Sequence, residues 1–411
     1  MAAAAARLIS RLPEEIQAEI FLKLPVKSIL SCKCVCKLWF NLISSPKFIN
    51  DHLNLSIQNK NNHKLMFVDK ESVTGKPLMY SIDYASITST PDLSCEYLGE
   101  KAVLMDYPFE YKKGMKISIL GARNGLICFG ISVDTKTSIC TWNPTTREYR
   151  KIHHSNFHND PKVYCDAGFG YDSKTGDYKM VTIADSKTSD YCEVEVYTFG
   201  LHLSKTIHTF PHKYPIYVSS HVVFLNGALH WISCNMSKQD IYHGILTFDI
   251  SNEKLMYVPL PEKCILHPED SKTGLYKAMG VLGDCLSLVL VDAKTVEVWV
   301  MQDYGVRESW TKRFTTTTQE PIIQYPYWTP MLSLKTGDIL MYSYDGFALC
   351  DPKKERIGKV SGFFQENICI VRVLTMITSH PQSYVESLVS LNSGTYVKKP
   401  RGQKSRLFDF L

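Results

Sequence analysis

Lysine, threonine and glycine stand together three times in this 411-residue chain, at Lys174-Thr175-Gly176, Lys272-Thr273-Gly274 and Lys335-Thr336-Gly337. Such a string serves acyl-enzyme chemistry when a Ser-x-x-Lys helix and a Ser-Asp-Asn accompany it. Ser44 to Lys47 and Ser251 to Lys254 match the first by spacing alone. The former contains Pro46, the latter lies in a turn sequence, and no Ser-Asp-Asn occurs. Asp or Ser opens each of the three stretches, so the repeated chemistry is that of a hairpin turn: a side chain takes a backbone N–H and glycine supplies a positive φ. His153, His154 and His158 form the one histidine cluster, without a carboxylate or thiol at ligand spacing. Gly168-x-Gly170 lacks a third glycine, and H-E-x-x-H, G-x-S-x-G and G-x-x-x-x-G-K-[ST] are absent. Cys32, Cys34 and Cys36 alternate, but a helical pattern points them in different directions and no second ligand pair follows, so packing cysteines are expected rather than a zinc site. The expectation is a non-catalytic protein with no cofactor and no metal.

The elements that would carry recognition differ sharply along the chain. In residues 12 to 50, Leu12-Pro13-Glu14-Glu15 reads as a helix start, with Pro13 at the first helical position and two carboxylates complementing the dipole. Ile16, Ile20 and Leu24 follow at i, i+4 and i+8, widened by Phe21. Leu24-Pro25 opens a second helix carrying Val26, Ile29, Leu30 and Cys34. A third carries Val35, Leu38, Trp39, Leu42 and Ile43 and stops at Ser44-Ser45-Pro46. Three short helices enclose little core, and domains this small need a metal, disulfides or a partner. The partner is the favoured solution, and Lys23, Lys27, Lys33 and Lys37 suit an acidic one.

The string from Leu12 to Leu53 resembles an F-box. It has the Leu-Pro opening, a second Leu-Pro-Val-Lys-Ser at 24–28, Val35-x-Lys37-x-Trp39, and the closing Leu42-Ile43-x-Ser45-Pro46-x-Phe48. Ser31-Cys32-Lys33 stands where the pattern often has Arg-Phe-Lys or Arg-Phe-Arg. The resemblance implies docking to a Skp-family adaptor and through it to a cullin scaffold. By the matching positions, Leu12, Pro13, Ile16, Ile20, Leu24, Pro25, Val26, Leu30, Val35 and Trp39 form the docking surface and its supporting core. The alternative is a helical cap packed on its own C-terminal domain.

From about residue 64 short alternating or wholly apolar runs recur between Gly, Asn-Gly, Asp and Pro, which predicts an all-β domain. Val194, Val196, Tyr197 and Phe199 match Val296, Val298, Trp299 and Val300 about two repeat periods away, as in propeller blades. Stacked repeats of this kind predict a β-propeller of about seven blades, with six and eight as alternatives. The same segment is similar to the F-box-associated domain of plant F-box proteins, kin to kelch propellers. The resembling stretches are Asn124-Gly125-Leu126-Ile127, Trp142-Asn143-Pro144-Thr145-Thr146-Arg147, Phe169-Gly170-Tyr171-Asp172, Asn226-Gly227-x-Leu229-His230-Trp231 and Tyr384 to Leu391. The paired glycines of kelch repeats and the Trp-Asp of WD repeats are missing. The expected architecture is mainly β: a three-helix F-box over 8–53, a linker over 54–63, the propeller over 64–395 and a basic tail over 396–411.

Composition narrows the partners. Charged residues make up 21% of the chain and the net charge is +5, with both signs interspersed, so nucleic acid is not expected. No apolar stretch reaches the length of a membrane span. Thirteen cysteines without paired spacing, several in apolar runs (Cys128, Cys140, Cys285, Cys369), read as reduced thiols. Met1 to Ala6 lacks a secretory pattern and Ala2 excludes N-myristoylation, so a cytoplasmic or nuclear protein is expected and the sequons at Asn54 and Asn235 are chance. The expected function is that of a ubiquitin-ligase substrate receptor, whose propeller loops bind an unidentified target protein. His153, His158 and Tyr164, and Tyr325, Tyr327 and Trp328, are the candidate target-binding residues, in two loops that are long for hairpin connections. A propeller hydrolase or oxidase with a helical cap, its residues gathered from several blades, is the second reading, and a scaffold outside the ligase the third.

Overall fold

The computed structural model describes residues 12–392 except 60–61, 72, 90–98, 135, 153–162, 187–191, 211–221, 237–240, 265–275, 292–294, 318–327, 335, 344–345, 354–355 and 360–378. Among the described residues four helices come first: α1 (Glu14–Leu22), α2 (Val26–Lys33), α3 (Lys37–Ser44) and α4 (Pro46–Gln58). Pro13 and Pro25 stand one residue ahead of α1 and α2, where a fixed φ costs nothing and no N–H is needed. The three expected helices are present, and a fourth follows them. Pro46 does end α3, but it also occupies the first turn of α4, and Ser45 caps it by accepting the Phe48 N–H at 3.2 Å. The stretch 54–63, expected as a linker, is accordingly helical up to Gln58, and the first strand begins at His63.

The β domain contains, among the described residues, six four-stranded antiparallel sheets. Six lies within the expected range and one below its centre. The innermost strands are Ser379–Val385, Lys116–Arg123, Val163–Asp172, Val223–Leu225, Tyr276–Leu282 and Thr329–Ser333, in blades 1 to 6. Blade 1 joins both ends of the domain, because Ser379–Val385 pairs with His63–Lys70 while the rest of that sheet comes from Pro77–Asp83 and Val103–Leu104. Both ends of the β domain are thereby held in one ladder.

Packing explains the wholly apolar strands. Each apolar layer is shared by two neighbouring blades, and six layers close the ring. In Thr295–Met301, Val296, Val298 and Val300 enter the layer against blade 6, while Trp299 and Met301 face blade 4. Both faces of a blade are buried, so alternation of polar and apolar residues fades. The matched runs around Val196 and Val298 are third strands of blades 3 and 5, two blades apart as the repeat predicts.

The Asp172 turn follows the expected chemistry, whereas at 333–338 Gly337 takes the expected positive φ but Thr336 rather than Ser333 accepts the backbone N–H. Asp172 Oδ1 accepts the Lys174 N–H at 2.9 Å, and Asp249 and Asp351 make the same bond with Ser251 and Lys353. Asn226 and Gly227 both take positive φ, 50° and 76°, the primed turn that a two-residue hairpin needs. The 270–274 turn lies outside the described residues.

Candidate functional site

The helical module buries one face and leaves another bare. Phe21, Ile29, Trp39, Ile43 and Phe48 are core, with Phe21 edge-on to Trp39 at 4.9 Å between ring centroids. The buried side of α1 carries Gln17 and Phe21, so the Ile16–Ile20–Leu24 stripe points largely outward: Ile16 is 42% exposed and Ile20 half-buried. Leu12 and Val35 are exposed as well. For so small a module this is a large share of its apolar side chains.

The residues expected on the docking surface therefore divide. Leu12, Pro13, Ile16 and Val35 are exposed, Ile20 and Leu30 half-buried, and Trp39 is core. Leu24, Pro25 and Val26 line a cleft of about 530 Å³ between the helices and blade 1, with His52, Lys64 and Glu386 on its other walls. Sequence reasoning missed two exposed side chains, Leu38 (49%) and Phe40 (52%) of α3. The signal was present, since residues 38–40 are apolar in succession and a helix can bury only part of such a run. Lys33 Nζ lies 5.1 Å from the Phe40 ring centroid.

A second feature joins the module to the propeller. Beyond Val385 the chain continues as an extended strap under blade 2, and Leu388 enters the core of the helical module. Asn143 Nδ2 donates to the carbonyls of Ser387 and Val389 at 3.1 and 2.8 Å, and Ser387 Oγ donates to Asn124 O at 2.7 Å. The Glu148 carboxylate accepts the Ser390 hydroxyl and the Leu391 N–H. A Cβ on Gly125 would stand 2.1 Å from Ser387 Oγ, so the strap lies where only glycine lets it. Three stretches quoted above for the family resemblance, around Asn124, Trp142-Asn143 and Tyr384–Leu391, thus meet in one clamp. Their sequence separation of more than 240 residues hid this from sequence reasoning.

The expected target-binding residues fare differently. His153, His158, Tyr325 and Tyr327 lie outside the described residues, as does the side chain of Tyr164. Trp328 is corrected to a core residue: it is 7% exposed and packs between blades 5 and 6 with Phe314 and Met341. An indole at the threshold of an innermost strand is drawn into the inter-blade layer, which offers more apolar area than solvent does. Among the described residues no three His, Cys, Asp or Glu side chains gather at metal-binding distance, and no helix is long and apolar enough to cross a membrane. Of the cysteines named from sequence, Cys128 and Cys140 are buried and free, Cys285 is half-buried and Cys369 is outside the described residues.

Among the described residues, four helices with a bare apolar rim are clamped to a closed ring of six four-stranded blades, a two-part architecture. Residues 9–51 match the F-box domain family and residues 77–391 the F-box associated beta propeller domain, so the chain belongs to the F-box proteins that carry this propeller. Among its relatives, F-box protein CPR1 of Arabidopsis thaliana is 27% identical over 80% of this chain and 78% of that protein. An F-box/kelch-repeat protein of the same plant is 27% identical over 73% of this chain and 78% of its own length. Among solved structures, the lectin of Aleuria aurantia, a six-bladed propeller, overlaps at a TM-score of 0.38 and 10% identity, covering 72% of this chain and 95% of the lectin, too loosely to bear on the site.

Proposed function

We propose that the protein is the substrate-recognition subunit of a Skp–cullin–F-box ubiquitin ligase: the exposed rim of the helical module binds a Skp-family adaptor, which connects it to a cullin, and the propeller presents a target protein. The observation that supports this most is the rim itself. Leu12, Ile16, Val35, Leu38 and Phe40 stand exposed on a module whose own core is filled, as a surface completed by a partner requires. The role is that of a receptor without chemistry of its own, in the cytoplasm or nucleus.

The target side is assigned to the opposite mouth of the propeller. Innermost strands of blades 1 and 2 end together beside the strap, where Ser387 meets Asn124. Segments 153–162 and 318–327 each lead into the start of an innermost strand, Val163–Asp172 and Thr329–Ser333, and so attach at the far end. His153, His158, Tyr325 and Tyr327 in these segments, and Tyr164 at the start of the strand that follows the first, are the candidates for target contact, and a propeller over 64–395 is proposed with them.

The test is adaptor capture by the full chain carrying Leu12→Ala and Pro13→Ala together. Loss of an apolar anchor and of the helix-starting restraint should weaken capture by more than about tenfold. Capture at the wild-type level by this double variant, with its propeller folded, would reject the adaptor assignment.

A further inference from the structure

Arg123 is the last residue of the innermost strand of blade 2, yet it bonds to blade 4. Its Nη2 donates to the carbonyl of Phe224 at 2.8 Å, and its guanidinium lies 3.9 Å from the centroid of the Phe224 ring. Phe224 belongs to the innermost strand of blade 4. A link between blades 2 and 4 must pass the innermost strand of blade 3 on its axial side, which puts the guanidinium at the channel mouth facing the helical module.

The sequence prepares this position from two sides. The strand carrying Arg123 has a bulge between Ile119 and Gly121, and Gly121 takes a φ of 152° with Phe169 of blade 3 close against it. In blade 3, a Cβ on Gly170 would stand 2.8 Å from the Phe224 ring and 2.0 Å from Ile250. Only glycine at 170 allows that ring to lie over blade 3, and the ring in turn provides the face on which the guanidinium rests.

Among the described residues no carboxylate is paired with Arg123. Its Nε is sealed from solvent without an acceptor, although the side chain as a whole is only half-buried. Burial pushes the group down from its ordinary range to about 9. A cation held among protein atoms without a counter-charge is costly, and a guanidinium with unused donors is suited to oxyanions in a two-pronged fashion. We propose that the channel mouth at Arg123 is an oxyanion-binding site, which takes a phosphate or carboxylate group against the Nη1 and Nη2 groups of the guanidinium while Phe224 holds its face. This site is independent of the adaptor-binding reading.

Inorganic phosphate, titrated into the full-length chain at constant ionic strength, is the probe, with acetate as the carboxylate arm and chloride as the baseline. Thermal unfolding and calorimetric titration are read together. The wild type should bind one phosphate saturably, with a rising unfolding midpoint. Arg123→Met should weaken that binding by about tenfold or more, since it removes both charge-assisted hydrogen bonds of the two-pronged contact. If the Met variant does not fold, Arg123→Lys is read instead: it keeps the charge but not the two-pronged edge, and should weaken phosphate binding several-fold. Preference for phosphate over acetate identifies a phosphate group as the ligand, and the reverse a carboxylate. The proposal is overturned if the wild type shows no saturable response to either anion, or if the variant that folds responds as the wild type does.

Discussion

Trp39 donates its indole N–H to the side-chain carbonyl of Gln17 at 2.8 Å, a bond closed to solvent, while Gln17 Nε2 donates to the Leu12 carbonyl at the same distance. The buried side of the helical module therefore rests on a polar contact that orients the exposed one, because Gln17 ties the Leu12 carbonyl, ahead of α1, to the turn that carries Ile16. Trp39→Phe removes the donor and leaves Gln17 Oε1 buried without a partner, which costs about 1–3 kcal/mol. Adding Gln17→Leu should recover part of that loss, since an apolar pair needs no hydrogen bond. Denaturant unfolding followed by circular dichroism compares the two. A double variant no more stable than Trp39→Phe alone would mean that packing, not the bond, matters here.

The strap makes adaptor binding depend on a residue far from the rim. Leu388 is 5% exposed in the core formed by Phe21, Ile29 and Trp39. Leu388→Ala should destabilise the helical module by about 2–5 kcal/mol through the cavity it leaves. Adaptor capture should fall with it. Asn143→Ala should act in the same direction from blade 2, by releasing the carbonyls of Ser387 and Val389. Proteolysis of the first 58 residues in the folded protein is the measurement, and rates equal to wild type in both variants would show that the strap supports nothing.

Much of this arrangement was legible from sequence because it is local. Pro13, Pro25 and Pro46 mark helix starts, and Asn226-Gly227 and Asp172 mark turns whose geometry a few residues decide. Blade number was legible only as a range. A propeller's strands are buried on both faces, so each reads as an apolar run without a periodic phase, and blade 1 is assembled from segments over 300 residues apart. Trp328 was misread for the same reason: whether an aromatic beside a strand faces solvent or a neighbouring blade is decided by that blade, and its sequence says nothing locally. The clamp of Asn124, Asn143 and Ser387 was visible as three motifs but not as one structure.

Among the described cysteines, two groups should separate by reactivity. Cys34 and Cys36 are exposed, whereas burial pushes Cys140, Cys264 and Cys350 up to about 12. Only the thiolate reacts, so alkylation of the folded protein near neutral pH should modify Cys34 and Cys36 first and leave those three until unfolding. Mass spectrometry of timed samples reads this directly. Early modification of Cys350, for instance, would mean that blade 6 opens on the timescale of labelling.

Asp166 should make stability fall as pH rises toward neutrality. It lies in the innermost strand of blade 3, where burial pushes its carboxyl up to about 7 despite the bond that Oδ1 accepts from the Ala167 N–H at 2.8 Å. Its Oδ2 is buried without a hydrogen-bond partner. In the unfolded chain the same group titrates near the ordinary carboxylate value of about 4. Between those two values the folded state binds more protons than the unfolded one, so stability is highest at or below the lower value, declines across the window and is flat above about 7. Asp166→Asn keeps an acceptor for Ala167 and removes the charge, so its profile lacks this decline. Other groups titrate in the same range, and the difference between variant and wild type is therefore the quantity to follow. That difference should be small near pH 4 and should grow in favour of Asn up to about pH 7, then hold constant. Unfolding midpoints of both proteins measured across this range decide the matter: a difference that stays level from acid to neutral pH would mean that Asp166 is solvated in the channel and titrates as it does in the unfolded chain.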